Sequence, residues 1–456
     1  MAGRIHEFVF DFSWNKAGEK ICELAERAFI DTIAAMFAGV SSEQVRRTSA
    51  ALEIDLSKKG DLDSPTIIGF GHKSVTLSEA VLLNGVLAHS CEYNDLFYKR
   101  PGHPSAVLVP VVLGLGEKLH KSGREVLEAY LCGLEVTGRV SESLMPDHHI
   151  KGFHSTSTVG IVGAAMAAGK LLKLSKKELL YAAGLACTFS CGLRGNLGYI
   201  ANSLHVGNAA SGGLKSALYA KAGIQTREDL MTMPDGYICA FGGKAEWFQE
   251  QMNLLGKVSV FEAPGLLLKK YPVCFSAYQA IESAIWLKEH YAFTPYEIEE
   301  VVCETSPHHY LSLPMEWPDS LYAQRFCVPF CVCWVLSGHP VNAEEFATTH
   351  YQEPEMTYLR SRFHYGVDPL QDGNQSVGST YIRIRLKDKR RLERQEFPKK
   401  EDKIENWTQD ALREKLVLCS KEILGTEGSL TLWNELHQFA RTEDVAEWLD
   451  RIHMKR

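Results

Sequence analysis

Apolar residues recur every three to four positions over long stretches of the first half of the chain. In Lys16–Val40, the residues Ile21, Leu24, Ala28, Ala35 and Phe37 fall close together at this spacing, which predicts an amphipathic helix. Ser74–Tyr93 and Lys121–Ser143 read the same way. Ser175 followed by Glu178 makes a capping-box start for a helix running through Ala186. Two segments differ. Thr156–Leu172 (TSTVGIVGAAMAAGKLL) and Gly207–Gly223 (GNAASGGLKSALYAKAG) are helical in period but rich in small residues. Small side chains let helix backbones approach closely, so both are expected as central helices of an all-helical domain.

The pattern changes after Pro264. Prolines before it stand only at 65, 101, 104, 110, 146 and 234, and all the others lie within 264–398. Glu297–Glu304 (EIEEVVCE) predicts a short strand. Thr380–Leu386 alternates, with Tyr381, Arg383 and Arg385 on one face and Ile382, Ile384 and Leu386 on the other, the signature of a half-buried strand. Ser276–His290 and Ala323–Leu336 read as helices between them. After a charged stretch, Thr408–Leu424 and Ser429–His453 return to helical spacing. The fold expected is mainly α with a smaller α+β domain. Residues 1–264 and 399–456 form a discontinuous helical domain, and 265–398 form the inserted α+β domain.

The 456 residues are 45% hydrophobic and 23% charged, which argues for a globular chain. A net charge of −7 gives no reason to expect nucleic acid or an anionic membrane as partner. The run Val107–Gly116 is too short to span a bilayer. The N-terminus MAGRIHEFVFDFSWNK has no signal-peptide core, so a cytoplasmic location is expected. The 12 cysteines are too sparse for a disulfide scaffold. Cys187/Cys191 and Cys327/Cys331/Cys333 match no strong metal spacing and read as buried thiols.

Four polar clusters break the apolar frame. His89–Ser105 (HSCEYNDLFYKRPGHPS) carries Glu92, Asn94, Asp95, Lys99, Arg100 and His103 in a Pro/Gly-broken loop. Asp147–Ser157 places His154 just before a Ser/Thr helix start, where hydroxyls and N–H groups suit a carboxylate. Gly192–Gly207 holds Arg194 and Asn196 in a Gly-rich turn, with His205 ahead of the second small-residue helix. The structural alternative for His205 is a buried, hydrogen-bonded ring. Leu268–Ser276 puts Lys269 and Lys270 at the domain boundary, either facing an anion or simply solvated. No close His spacing supports zinc. Together the groups suit proton transfer at carbon beside a carboxylate, with cations and helix starts to hold oxyanions.

Several ordered motifs resemble the MmgE/PrpD family, which includes 2-methylcitrate dehydratase, cis-aconitate decarboxylase and iminodisuccinate epimerase. They are HSCEYNDLFYKRPGHPSAVLVPVVLGLGE, GFHSTSTVGIVGAAMAAGKLLKLS, LHVGNAASGGLKSAL, LKKYPVCFSAYQAIES and AQRFCVPFCVCWVLSG. The resemblance implies a large helical domain built from both chain ends, a smaller lid, a homodimer, and no metal or other cofactor. It assigns the site to the boundary between the two. His103 and His154 match the motif histidines, Glu92, Asn94 and Asp95 the acidic stretch, His205 a third motif histidine, and Lys269 the boundary lysine. Departures are Asn202 in place of a lysine, Leu96 in place of Thr or Ser, Glu92 in place of Asp, Cys274 in place of a histidine, and Phe330 in place of a tyrosine.

The expected activity is a lyase on a small di- or tricarboxylate, of dehydratase or decarboxylase type. Epimerisation of a dicarboxylate and carboxylate binding without catalysis are the alternatives. Asp95, His103 and His154 are the catalytic candidates. Glu92, Asn94, Arg194, Asn196, Asn202, His205, Lys269 and Cys274 are the substrate-binding candidates.

Overall fold

The computed structural model of the chain describes residues 3–98, 102–313, 317–348, 352–371, 378–399 and 402–453. It is mainly α-helical with a small mixed sheet. The Ser155–Leu171 helix lies at the centre and packs against Pro104–Lys118, Gly123–Leu144 and Ala201–Lys221. All but one of its residues are buried, as its small side chains require. Leu77–His89 crosses Ala201–Lys221 so closely that a Cβ on Gly85 would stand 2.8 Å from the Cα of Gly207. That contact sets the separation of His89 from the start of the neighbouring helix. The C-terminal Gln409–Leu436 helix packs back on Glu19–Ala38. It is kinked at Gly425, whose φ of 69° lies outside the helical range.

One hydrophobic core draws on residues between Ile5 and Leu268 and again between Ile404 and Ile452. A second draws on Tyr271 through Leu392. Its sheet has the strand order Phe363–Val367, Ile298–Thr305, Thr380–Leu386, Arg391–Glu396. The first pair is parallel and the others antiparallel. In Thr380–Leu386, Ile382, Ile384 and Leu386 are buried, the face that the alternation indicated. The Tyr278–His290 helix covers the sheet and Val328–Leu336 packs on that helix.

Local starts follow the chain chemistry. Ser175 and Glu178 close a capping box at the start of Lys176–Thr188, and Thr76/Glu79 and Ser122/Glu125 do the same for two other helices. Three expectations change. The second small-residue helix begins at Ala201, so His205 sits within it rather than before it. The break expected between Leu424 and Ser429 is a kink at Gly425 within Gln409–Leu436, and the expected Ser429–His453 helix is instead split, its last part forming Val445–His453. The Lys176–Thr188 helix stops before Cys191, which is exposed while Cys187 is buried. Cys327, Cys331 and Cys333 are free and buried. Among the described residues no helix is long and apolar enough to cross a membrane.

Candidate functional site

A short ladder brings the first site segments together. Leu96 pairs with Leu267 and Phe97 with Leu266 in antiparallel register, which lays the loop after His89 beside Lys269. Glu92 takes a left-handed backbone conformation, φ 50°, costing a non-glycine residue about 1–2 kcal/mol. The carbonyls on both sides of it are held by buried cations. Arg325 donates to Cys91 O at 3.3 Å and Pro272 O at 2.7 Å. Lys415 donates to Tyr93 O at 2.8 Å, Lys269 O at 2.9 Å and Asp31 Oδ1 at 2.6 Å.

Glu92 and Lys269 face each other inside this frame. Lys269 Nζ donates to Glu92 Oε2 and to Glu92 O, both at 2.9 Å. Burial opposes charge on the Glu92 carboxyl, but Lys269 and then His89 outweigh it and hold its pKa well below the usual range. His89 ends the Leu77–His89 helix. Its Nε2 lies 2.9 Å from Glu92 Oε1 and its Nδ1 lies 3.1 Å from Asn94 Oδ1. Both ring nitrogens thus face oxygens. Asn202 Nδ2 stands 3.2 Å from His89 Nε2 and donates to Tyr322 Oη at 2.9 Å. Tyr322 brings the second domain to the site, 3.5 Å from Glu92 Oε1.

Three further imidazoles extend the cluster. The His89 and His103 ring centroids are 4.9 Å apart, His89 and His154 6.1 Å, and His154 and His205 5.3 Å. His103 precedes Pro104, which opens the Pro104–Lys118 helix; a residue before proline is steered out of the helical region. Its Nδ1 lies 2.7 Å from Asp95 O. A carbonyl only accepts, so Nδ1 carries the hydrogen and Nε2 keeps its lone pair. Burial, then the charge of Lys269, pushes the His103 pKa down to about 3. Burial and neighbouring His89 also lower His154 and His205. His154 occupies the cap position before Ser155–Leu171 and shares one proton position with His205, Nδ1 to Nδ1 at 3.2 Å. Its backbone N–H donates to Gly192 O at 3.1 Å. Only glycine fits at 192, because φ is 131° and a Cβ would collide with Ser157 Oγ.

The other predicted residues are placed as follows. Asn196 Nδ2 is 3.4 Å from His205 Nε2. Arg194 turns to His149 Nε2 at 3.0 Å. Cys274 is electrostatically coupled to Glu92 and Lys269, and burial raises its thiol pKa. Lys270 is the solvated member of its pair and bridges to Glu282 at 3.1 Å. The Asp95 carboxylate faces away from this group. It accepts from Ser105 N at 3.3 Å and from the Ser105 hydroxyl, and Ser105 Oγ contacts Tyr130 Oη at 2.6 Å. Burial raises the Asp95 pKa to about 7. Its backbone carbonyl, rather than its side chain, reaches His103. Phe330 is buried in the second core. Lys99 and Arg100 lie outside the described residues.

Sequence reasoning did not single out His89, Tyr322, Arg325, Lys415 or Asp31. His89 stood in the first quoted motif, three residues before Glu92, and the tight turn after the helix end brings the two together. The others are separated from Glu92 by long stretches of chain and carried no local signal. Among the described residues, His89, Glu92 and His103 each offer a ligand atom for a metal, all within 4.8 Å of one another.

Comparison with known proteins identifies the family. The MmgE/PrpD N-terminal domain model matches residues 3–250 and the MmgE/PrpD C-terminal domain model residues 271–438. The chain is similar to a cis-aconitate decarboxylase of Mus musculus, 24% identical over 400 residues, covering 85% of this chain and 79% of the relative. It is also similar to the cis-aconitate decarboxylase of Homo sapiens, 25% identical over 381 residues, covering 81% and 77%. A third relative, the cis-aconitate decarboxylase of Aspergillus terreus, is 25% identical over 348 residues, covering 71% and 70%. With both halves matched and the motif histidines gathered around Glu92 and Lys269, the chain belongs to the MmgE/PrpD family.

Proposed function

We propose that the protein is a cofactor-independent lyase that acts on a small di- or tricarboxylate by moving a proton at the carbon alpha to a carboxylate. The observation that carries this reading is the packing of His89, His103 and His154 around the buried Glu92–Lys269 pair. Burial lowers the pKa of His103 and His154 and favours their neutral forms. A polyanion entering beside them favours their charged forms, so substrate binding itself supplies the acid. His103 Nε2, with its lone pair fixed by the Nδ1 contact to Asp95 O, is the proton carrier. Lys269, His154 and the start of Ser155–Leu171 hold the carboxylates. Asn202, Asn196 and Arg194 add polar partners.

In a decarboxylation the electrons of the broken carbon–carbon bond remain on the alpha carbon, and the His103 imidazolium delivers a proton to it. In a dehydration neutral His103 takes the alpha proton, the electrons of that carbon–hydrogen bond form the double bond, and the beta hydroxyl leaves as water with the proton returned to it by the His103 imidazolium. The relatives' names favour decarboxylation, with cis-aconitate as the first compound to try. Epimerisation is the second reading. It requires two proton-transfer groups about one carbon, and it is favoured by His103 and His154 both packing against His89. The working state in this reading is a homodimer that needs neither nucleic acid nor membrane. Light scattering tests the dimer, and a fully active monomer would remove it.

The test is incubation with cis-aconitate, hydroxytricarboxylates and dicarboxylates in deuterated water, followed by NMR and carbon dioxide detection. Product or deuterium at the alpha carbon is expected for at least one compound. A compound that raises the melting temperature without exchange or conversion would instead make the protein a carboxylate binder.

A further inference from the structure

We propose that His89, Glu92 and His103 bind a first-row divalent cation of the zinc type, which occupies the proposed proton-transfer centre and blocks it. The blocking role rests on the proposed function; the binding does not.

The donor set fits. Zinc takes imidazole nitrogen and carboxylate oxygen, commonly with three protein ligands and one open position. Here two imidazoles and one carboxylate present ligand atoms within 4.8 Å of one another. Contraction toward the roughly 3.3 Å donor separation of a tetrahedral ion follows from small side-chain rotations. The supporting contacts also fit. A ligating histidine normally donates its other ring N–H to an oxygen, which aims the ligating nitrogen. His103 Nδ1 has Asp95 O at 2.7 Å, and His89 Nδ1 has Asn94 Oδ1 at 3.1 Å. Each contact leaves Nε2 as the ligating atom. His89 Nε2 already lies 2.9 Å from Glu92 Oε1. The second carboxylate oxygen is held by Lys269 at 2.9 Å, so the carboxylate is oriented before any ion arrives.

The exchange balances simply. The imidazole nitrogens and the Glu92 carboxylate give lone pairs to the cation, and metal–nitrogen and metal–oxygen bonds form in place of bonds from the cation to water. No atom changes oxidation state. Among the described residues, Lys269, His154, His205, Tyr322 and Cys274 are charged or titratable groups around this point. The Lys269 charge opposes a second cation and so limits the affinity.

The test uses the full chain, freed of metal with a chelator and titrated with zinc chloride by calorimetry in two buffers of different ionisation enthalpy. One zinc bound at this site is expected. His103→Gln and Glu92→Gln should each weaken it by at least about tenfold, and Asn94→Leu by about 10–100-fold. Cys274→Ser should leave it unchanged. Unaltered binding in His103→Gln and Glu92→Gln, loss in Cys274→Ser, or no zinc bound at all would overturn the proposal. Cobalt absorption of the unmutated chain gives a reading free of folding defects: a thiolate charge-transfer band contradicts the site, and nitrogen/oxygen d–d bands alone support it. No turnover is needed, so failure here leaves the proposed function standing.

Discussion

Lys269 grips Glu92 twice, through the carboxylate and through the backbone carbonyl, each at 2.9 Å. The two side chains are 0% and 2% exposed. A buried pair of this kind is costly to break from one side, because the remaining charge has no partner. Glu92→Gln should therefore lower the unfolding free energy by about 3–5 kcal/mol, measured by denaturant titration. The double variant Glu92→Gln/Lys269→Met should recover part of that loss. A single-variant loss below about 1 kcal/mol would show that the pair is not desolvated.

Lys415 and Arg325 act on the same residue from behind by holding the carbonyls of Tyr93 and Cys91. Lys415→Met leaves Asp31 buried, where burial already raises its pKa. The variant should lose about 3–5 kcal/mol, and Asp31→Asn/Lys415→Met should lose less than Lys415→Met alone. Equal losses would mean that the two are not coupled.

Asp95 separates two roles that the motif alone confounds. Its side chain serves Ser105 at the start of Pro104–Lys118, while its carbonyl orients His103. Asp95→Asn keeps the carbonyl and can still bond Ser105. It should reduce turnover by less than about tenfold, whereas loss of a proton carrier costs about a hundredfold or more. A loss in Asp95→Asn as large as that in His103→Ala would restore Asp95 as a proton carrier.

A pH dependence arises far from the site. His72 Nδ1 lies 2.6 Å from Ser64 O and Nε2 2.6 Å from Asp450 Oδ1 in the Val445–His453 helix. Burial opposes the charged ring, but Asp450 and then Ser64 outweigh it and raise the pKa. A raised folded-state pKa contributes stability in full below the unfolded value of about 6.5 and loses it as pH rises through the folded value. The stability gap between the natural chain and His72→Gln should thus be larger at acid than at alkaline pH. A gap that widens toward alkaline pH would contradict the pairing.

Much of the fold was legible because its causes are local. Capping at Ser175/Glu178 acts over three residues, and strand alternation in Thr380–Leu386 repeats every second one. The small residues of Thr156–Leu172 announced a central helix because only they permit that approach. The site was half legible. His103, His154, Glu92 and Lys269 stood in ordered motifs, but the direction of a side chain is decided by distant partners. The motif does not show where the Asp95 side chain points, and Ser105, itself in contact with Tyr130, holds its carboxylate away from the histidines. Tyr322 and Lys415 meet Glu92 and its neighbour across more than half the chain. The start of Ala201–Lys221 was missed because no side-chain cap marks it.

Proton exchange at the alpha carbon of a bound polycarboxylate, followed by NMR in deuterated water, addresses His103 directly. The unmutated chain should exchange or convert the substrate, and His103→Gln should do so at least about a hundredfold more slowly while binding it within a few-fold. Equal rates in the two proteins would contradict His103 as the proton carrier.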